Sequence, residues 1–190
     1  MKTDFQKELQ KSLEILRSGG IMLYPTDTIW GIGCDATNSN AILNIYQLKI
    51  RTEKKSMIIL VNDQEMIRKY VAEPHPKILS YLLDAQQPTT AVFKNAINLP
   101  SQLINEDGSV AIRIVQDDFC RELITQLQKP IVSTSANISG ESFPENFNSI
   151  SPQIKNGVDY IVQHRLNEIN SVLPSAIIRL NEQDEIERVR

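Results

Sequence analysis

The sequence predicts an α/β or α+β domain, in which helices flank a β-sheet. Segments with apolar residues at helical spacing alternate along the chain with short, mostly apolar runs that are typical of strands. The chain has 190 residues, 41% of them hydrophobic and 23% charged, which suits a globular domain large enough to bury a core. It contains no internal repeat and no low-complexity linker, so we expect one domain over residues 1–190.

The first elements are a helix, a strand, a second helix and a buried strand. Apolar residues at helical spacing predict a helix over 4–17, which two glycines end, and the apolar run 21–24 predicts a strand. Ser39 or Asn40 is the expected N-cap of the next helix. The almost purely apolar run 57–61 predicts a strand that is covered on both faces.

The remaining elements continue this alternation. Asp117 begins a predicted helix, and residues 140–152, rich in Asn, Ser and Pro, predict a mobile loop inside the domain. The other predicted segments are helices over 64–71 and 76–83 and a helix end near 154–157, together with strands over 90–93, 109–115, 130–132, 159–162, 175–180 and 186–189.

The composition argues against several classes of protein. No apolar stretch approaches the roughly 20 residues that span a bilayer, and the N-terminus lacks the apolar region of a signal peptide. Cys34 and Cys120 are too few for a disulfide framework, so both are expected to be free thiols. His75 and His164 lack metal-ligand spacing, which argues against a zinc site. We therefore expect a cytoplasmic protein with no membrane contact.

The charge of the chain favours a local anion site over general binding of polyanions. The net charge is −3, so a contact with nucleotide or nucleic acid needs a local basic cluster. One such cluster consists of Lys49, Arg51, Lys54 and Lys55. A run of charges is also the usual composition of a solvated surface, and that alternative stays open.

A loop rich in hydroxyl groups follows a short apolar run. Residues 133–140 read Ser-Thr-Ser-Ala-Asn-Ile-Ser-Gly, directly after Pro-Ile-Val at 130–132. Small side chains let backbone N–H groups approach a ligand, and such groups form anion-binding concavities. The segment therefore indicates a phosphate or carboxylate site. The alternative is a Ser/Thr/Asn turn whose polar groups satisfy one another.

A second polar segment follows the first predicted strand. Residues 24–33 read Tyr-Pro-Thr-Asp-Thr-Ile-Trp-Gly-Ile-Gly, where Pro25 fixes the exit from the strand and the glycines permit turns. Thr28 is a candidate for binding a small polar ligand, with Trp30 as a wall of the pocket. An Asx or hydroxyl turn is the alternative.

Two further patterns place cations near these loops. In an extended chain, residues two apart project to the same side, so Lys49 and Arg51 are expected to point into one site. Arginine offers a planar fork that suits phosphate. Arg113 lies inside a strand pattern, where a buried guanidinium needs an anionic partner from the fold or from a ligand.

Four segments in this order resemble the YrdC-like threonylcarbamoyl-AMP synthase family. They are Tyr-Pro-Thr-Asp-Thr at 24–28, Lys-Ile-Arg at 49–51, Ser-Val-Ala-Ile-Arg at 109–113 and the hydroxyl loop at 133–140. The resemblance extends from about residue 13 to about residue 180, and the chain resembles the short, single-domain form of the family. It implies a strongly twisted mixed β-sheet with flanking helices around a concave, positively charged cavity.

The resemblance also implies a reaction and its partners. The family condenses L-threonine, bicarbonate and ATP to threonylcarbamoyl-adenylate and pyrophosphate, for threonylcarbamoyladenosine modification of tRNA. Mg²⁺ is expected to enter with ATP, held by phosphates and water rather than by protein ligands. Partners implied in this way are the tRNA threonylcarbamoyl-transfer machinery, and tRNA or double-stranded RNA.

Roles for individual residues come from the same resemblance. Lys49 and Arg51 match the catalytic cations at the ATP phosphates, Thr28 matches a threonine-binding residue, and Arg113 matches a cavity position that faces carboxylate or phosphate. The remaining matches are Ser109, Ser133, Ser135, Asn137 and Arg188 on the nucleotide side and Ser175 on the substrate side.

Three departures from the family pattern leave a second interpretation open. Thr52 stands where proline is usual, Ala-Gln-Gln-Pro at 85–88 replaces Trp-Pro-Gly-Pro, and Ser-Ala-Ile-Ile-Arg at 175–179 replaces a pattern that ends in Asp. We expect the change at 85–88 to alter one wall of the pocket. The alternative is a divergent paralogue that binds nucleotide or double-stranded RNA without this activity.

The residue types themselves disfavour covalent catalysis. The candidate segments hold no histidine, no plausible thiolate and no Gly-x-Ser-x-Gly elbow. A substrate must then supply the nucleophile. The amine of threonine would form a carbamate, whose oxygen attacks the α-phosphorus of ATP, and the protein would position the reactants and neutralise charge.

Overall fold

The computed structural model of the chain describes residues 4–50, 57–167 and 173–190. Within these ranges a nine-stranded sheet runs from one end of the fold to the other in the order β7-β1-β2-β6-β3-β5-β4-β8-β9. The strands are β1 (Met22–Tyr24), β2 (Gly31–Gly33), β3 (Ile58–Val61), β4 (Thr89–Phe93), β5 (Val110–Ile114), β6 (Ile131–Ser135), β7 (Tyr160–Ile161), β8 (Ala176–Leu180) and β9 (Ile186–Arg188).

The sheet is mixed, as the family resemblance implied. β1 and β7, β3 and β5, and β4 and β8 pair in parallel, whereas the other neighbouring strands are antiparallel. Parallel neighbours need crossover connections, which the intervening helices supply. The α/β (α+β) prediction, a mixed sheet with flanking helices, is therefore confirmed.

Six helices in the described ranges flank the sheet. They are α1 (Asp4–Arg17), α2 (Ser39–Leu48), α3 (Gln64–Tyr70), α4 (Pro76–Asp84), α5 (Asp118–Leu127) and α6 (Pro152–Asn156). α1 packs against α5, where the rings of Phe5 and Phe119 meet edge to face at 5.7 Å. Leu13, Leu16 and Leu123 are also buried there, and each such side chain contributes about 2 kcal/mol of hydrophobic stabilisation. No helix in these ranges is long and apolar enough to cross a membrane.

The start of α2 differs from the prediction. Asn38, rather than Ser39 or Asn40, is the N-cap, because its extended backbone lets its side-chain oxygen accept from the N–H groups of Asn40 and Ala41. Asp117 caps α5 as expected, through the N–H of Cys120.

The glycines at 31 and 33 form strand β2 instead of the predicted turns. Gly33 lies against the ring of Tyr24, where a β-carbon would stand 2.6 Å from Tyr24 Cε1 and 2.4 Å from the Val132 carbonyl oxygen. Close packing, and not a turn, therefore requires this glycine. Glycines at alternate positions do not give the alternation of apolar and polar side chains by which a strand is recognised, so the sequence did not predict this strand.

The segment 140–152 contains local structure that we did not predict. Phe147–Ser149 forms a 3-10 turn closed by a reciprocal capping box between Asn146 and Ser149. α6 then begins after its N-cap Ser151. Short polar side chains that bond to nearby backbone groups account for both features.

Candidate active site

A cavity of about 930 Å³ opens on one face of the sheet. It is at the upper end of the volume range of small-molecule sites, large enough for a nucleotide and a second small molecule. Its floor consists of side chains, or a glycine, from six strands, namely Gly31, Ile58, Val92, Ala111, Arg113, Ser133, Ser135 and Ile177.

Strand register explains why these residues share a face. Residues directly opposite each other in neighbouring strands project to the same side of a sheet. Gly31 lies opposite Ser135, and Ile58 lies opposite Ser133. Val92 lies opposite Ala111. Segments that are distant in sequence thus meet on a single floor.

Arg113 lies in this floor as a buried cation. Its side chain is 3% exposed, and its NH2 nitrogen lies 3.0 Å from Asp27 Oδ1. Its NH1 donates to Thr28 Oγ1 at 3.1 Å. Asp27 is thus the anionic partner that the strand pattern required. Arg113 Nε is buried and finds no acceptor among the described residues.

Thr28 is held at the cavity wall by its neighbours. Its Oγ1 lies 2.9 Å from Thr26 Oγ1, and its backbone N–H donates to the same Thr26 oxygen at 3.0 Å. Trp30 lines the cavity, as expected, and its ring lies 5.1 Å from that of Phe147. The hydroxyl turn that we weighed as an alternative is present, and it serves to present Thr28 to the cavity.

Lys49 enters the site from the end of α2. Its backbone is helical (φ −80°, ψ −1°) and Ile50 has a φ of 50°, so the expected extended geometry is wrong at Lys49 and Ile50. The helix continues to Leu48, and the Lys49 N–H still bonds to the Ile45 carbonyl oxygen. Arg51, with Lys54, Lys55 and Thr52, lies outside the described residues.

The Lys49 ammonium joins α2 to the hydroxyl loop. Its Nζ donates to the carbonyl oxygens of Ser135 at 2.5 Å and Asn137 at 2.6 Å. The Ser139 N–H returns a bond to the Lys49 carbonyl oxygen at 3.0 Å. Lys49 is 2% exposed, so a positive charge lies buried at the edge of the cavity.

The hydroxyl loop faces the cavity as the sequence indicated. Ser133, Ser135 and Asn137 line it, together with Ser139. The alternative, a turn whose polar groups bond to one another, is also partly present, because the Asn137 amide donates to the carbonyl oxygens of Ile138 and Glu141. Asn137 Oδ1 is buried without a described partner.

Of the late residues, Ser175 reaches the cavity and Arg188 does not. Ser175 Oγ lies 2.8 Å from Thr90 Oγ1. Arg188 lies opposite Ile178, which is buried in the core on the other face of the sheet from the cavity. The adjacent residue on that strand, Ile177, lines the cavity. Alternation along a strand therefore turns Arg188 away, and its Nε bonds to the Arg190 carbonyl oxygen.

Ser109 is also absent from the cavity wall. It is 2% exposed and donates to Asp107 Oδ1 at 2.6 Å, while it accepts from the Asn105 amide at 2.9 Å. These bonds hold it in the loop before β5. The hydrogen bonds that the Ser109 hydroxyl and backbone N–H donate to Asp107 lower the pKa of the Asp107 carboxyl. Asn105 lines the cavity in its place.

Sequence reasoning missed Arg190. Its Nε and NH2 donate to the Ser175 carbonyl oxygen at 3.3 and 3.1 Å, and it lines the cavity. Burial, and then the nearby positive Arg113, lower the pKa of Arg190. The sequence shows Arg188 and Arg190 two residues apart, but only the register of β9 decides which of these two side chains faces the site.

The residues at 85–88 do not line the cavity. Ala85 instead accepts a long contact from the Gln116 amide at 3.5 Å.

The site lacks an ionised thiol nucleophile. Burial raises the pKa of Cys34 and of Cys120, with neighbouring carboxylates adding to the effect, so both remain protonated. The described residues contain no group of three or more His, Cys, Asp or Glu side chains that could hold a metal ion.

The charge of the cavity wall is one-sided. Its described side chains include the cations Lys49, Arg113 and Arg190 and no carboxylate, although Asp27 lies beside Arg113. A cavity with this charge on one face of a mixed sheet is suited to a small anionic ligand.

Comparisons with known proteins identify the family. The model of the Sua5_yciO_yrdC family, described as "Telomere recombination", matches residues 14–190. The chain belongs to this family. The threonylcarbamoyl-AMP synthase of Coxiella burnetii (strain RSA 493 / Nine Mile phase I) is 26% identical over 184 residues, which cover 93% of this chain and 99% of that protein. That of Blochmanniella floridana is 32% identical over 154 residues, 80% of each chain.

A solved structure shares the fold. The crystal structure of P. abyssi Sua5 complexed with L-threonine matches 100% of this chain and 55% of that chain, with a TM-score of 0.85 and 22% identity. This chain therefore spans about half the length of that structural neighbour. At this identity the likeness is one of fold.

Proposed function

We propose that this protein is an L-threonylcarbamoyladenylate synthase that acts in the cytoplasm. It condenses L-threonine, bicarbonate and ATP to threonylcarbamoyl-AMP and pyrophosphate, for threonylcarbamoyladenosine modification of tRNA. The observation that carries the proposal is a 930 Å³ cavity whose described wall holds three cations and no carboxylate. Curated relatives that match most of the chain bear this activity as their name.

The amino acid binds at the Thr28–Arg113 end of the cavity. Arg113 lines the cavity next to the Thr28 hydroxyl, so a carboxylate and a second polar group of one small molecule can bind together. P. abyssi Sua5, which shares the fold, was crystallised with L-threonine. Ser175, linked to Thr90, borders the same region and contacts the rest of the amino acid.

The triphosphate binds toward the hydroxyl loop. Lys49 and the side chains of Ser133, Ser135 and Asn137 lie together there, and hydroxyl donors beside a buried ammonium suit phosphate oxygens. Arg51, two residues after Lys49, contributes a second cation to the phosphates. Arg190 takes the place that the resemblance gave to Arg188.

The chemistry proceeds without a covalent enzyme intermediate. The amine of threonine attacks the carbon of bicarbonate to give a carbamate and water. A carbamate oxygen then attacks the α-phosphorus, and pyrophosphate leaves. Lys49 and Arg51 stabilise the charge that builds on the phosphates, and such electrostatic stabilisation contributes most to the catalysis of these transfers.

Mg²⁺ accompanies ATP in this proposal. The described cavity wall offers oxygen donors from hydroxyls and amides but no carboxylate, which fits an ion held by phosphates and water rather than by protein side chains. The ion supplies charge neutralisation at the triphosphate.

The product determines the partner. Threonylcarbamoyl-AMP is a mixed anhydride, so an enzyme that transfers the threonylcarbamoyl group to tRNA must consume it. Contact with tRNA or double-stranded RNA at the rim of the cavity is a further part of the proposal.

Pyrophosphate release tests the function. The protein is incubated with ATP, Mg²⁺, bicarbonate and each of the twenty amino acids in turn. We expect release that requires both threonine and bicarbonate. Release with no dependence on an amino acid, or none with any of them, contradicts the proposal. Duplex RNA binding that falls steeply with salt, in a protein that releases no pyrophosphate, favours the paralogue alternative.

A further inference from the structure

We infer that Thr26, which is not part of the cavity wall, fixes the Thr28 hydroxyl as a hydrogen-bond acceptor for the amino group of the amino-acid substrate. Thr26 is 5% exposed and touches Thr28, which lines the cavity. It is therefore a positioning residue, and the inference rests on the proposed function for the identity of the ligand.

The contacts of Thr26 determine the direction of its proton. Its Oγ1 lies 2.8 Å from the Ile29 carbonyl oxygen, which can only accept, so Thr26 donates its single hydroxyl proton there. The same oxygen accepts the backbone N–H of Thr28. The remaining contact joins the two hydroxyl oxygens at 2.9 Å, and in it Thr28 must be the donor.

Thr28 consequently has only acceptor capacity left. A hydroxyl has one proton and two acceptor positions. The Thr28 proton goes to Thr26, and one acceptor position is filled by NH1 of Arg113 at 3.1 Å. The group of the ligand that meets the last position must be a donor. A carboxylate or phosphate oxygen is thereby excluded from this contact.

The neighbouring guanidinium indicates which donor it is. A carboxylate bound at Arg113 brings the α-amine, attached to the adjacent carbon, toward Thr28, whereas the side-chain hydroxyl of threonine lies one carbon further away. A neutral amine that donates one N–H to Thr28 keeps its lone pair for the carbon of bicarbonate. The carbamate product retains one N–H, so the same bond persists after the step.

The backbone of Thr26 is itself anchored. Arg165 NH2 donates to the Thr26 carbonyl oxygen at 3.3 Å and lies 2.8 Å from Asp117 Oδ2 at the start of α5. This anchor ties the loop to a helix cap, which keeps the Thr26 hydroxyl in a fixed direction.

Steady-state kinetics of matched variants test the inference. Thr26→Val should raise the KM for threonine about tenfold, the effect of one lost hydrogen bond, with kcat and the KM for ATP changed less than about twofold. Thr26→Ser, which keeps the hydroxyl, should stay near the wild type. In a Thr28→Val background, Thr26→Val should have no further effect, because its target is gone. Thr125→Val, on the exposed face of α5, is the control.

A substrate analogue identifies the ligand group. L-2-Aminobutyrate keeps the amine and lacks the side-chain hydroxyl, so as substrate or competitive inhibitor it should lose the same factor on Thr26→Val. Three results would overturn the inference. The first is that Thr26→Val weakens the binding of threonine but not of L-2-aminobutyrate. The others are that it raises the KM for ATP as much as the KM for threonine, or that its effect adds to that of Thr28→Val. A wild type that forms no product overturns the proposed function instead, and calorimetric binding of threonine then compares the same variants.

Discussion

The Lys49 ammonium lies 2.5 Å from the Ser135 carbonyl oxygen, a contact between residues 86 positions apart. A second contact, to the Asn137 carbonyl oxygen, completes a bridge from the end of α2 to the hydroxyl loop. One side chain thus shapes the loop and places a buried positive charge beside it. The two roles make Lys49 the centre of the proposed phosphate site.

Replacement of Lys49 by methionine should affect both roles. Two carbonyl groups lose their donor, which costs about 1–3 kcal/mol of stability, and the loss of a preorganised charge lowers the rate of product formation about a hundredfold. Pyrophosphate release and urea unfolding measure the two effects. Lys11→Met, on the exposed side of α1, should leave both unchanged. A loss of rate below about threefold contradicts the role of Lys49.

Arg51→Ala should also slow the reaction about a hundredfold, because it removes a cation from the charge that develops on the phosphates. The measurement is kcat at saturating ATP and threonine. Near-normal turnover with product intact removes Arg51 from the mechanism.

Asp27→Asn should destabilise the fold by about 3 kcal/mol, since it leaves the Arg113 charge buried and unpaired. Asn retains an oxygen for the Gln116 N–H, so the loop keeps that bond. The matched control is Glu187→Gln, which breaks the exposed pair with Arg179 and should cost less than about 1 kcal/mol. Denaturant unfolding compares the two, and equal losses argue against the buried pair.

Gly33→Ala should destabilise more than Gly31→Ala. A β-carbon on Gly33 meets the Val132 carbonyl oxygen at 2.4 Å and Tyr24 Cε1 at 2.6 Å, both held firmly, whereas on Gly31 the nearest atom is Ser133 Oγ at 3.2 Å. Overpacking of this kind costs about 1–3 kcal/mol. Thermal unfolding of both variants measures the difference. If Gly33→Ala is as stable as Gly31→Ala, the packing argument at β2 is refuted.

Both thiols should be unreactive in the folded protein. Burial raises the pKa of Cys34 and Cys120, so a thiol reagent at pH 8 should label neither until denaturant exposes them. The thiol contribution to stability is fully present below the free-thiol pKa of about 8.5 and is lost as pH rises, because only the unfolded chain releases these protons there. Rapid labelling of the native protein, or stability that rises above pH 9, contradicts this account.

The apolar stripes of the helices and the apolar runs of most strands predicted an α/β or α+β sheet domain, and the family resemblance implied that the sheet is mixed. Strand β2 was not predicted, because Gly31 and Gly33 are there to pack against the Tyr24 ring. That contact is a tertiary one, and the local pattern of apolar residues does not show it. The N-cap of α2 moved by one residue for a similar reason, since three successive polar residues could each have taken the role.

The candidate site was predictable where a motif sits on one strand and its exit loop. Thr28, Ser133, Ser135 and Asn137 all reach the cavity. Arg188 and Ser109 do not, because the register of β9 and a local carboxylate, respectively, decide where they point. Asp27 and Arg190 became visible only through contacts across the sheet. Arg51 stays a prediction.

Mass spectrometry of the nucleotide product tests the central claim most directly. The protein is incubated with ATP, Mg²⁺, L-threonine and ¹³C-bicarbonate, and the nucleotide is trapped at once because the anhydride hydrolyses. The account predicts an adenylate with the mass of threonylcarbamoyl-AMP that gains one mass unit from the labelled carbon. A product without the label, or ATP left unchanged by a folded protein, would contradict it.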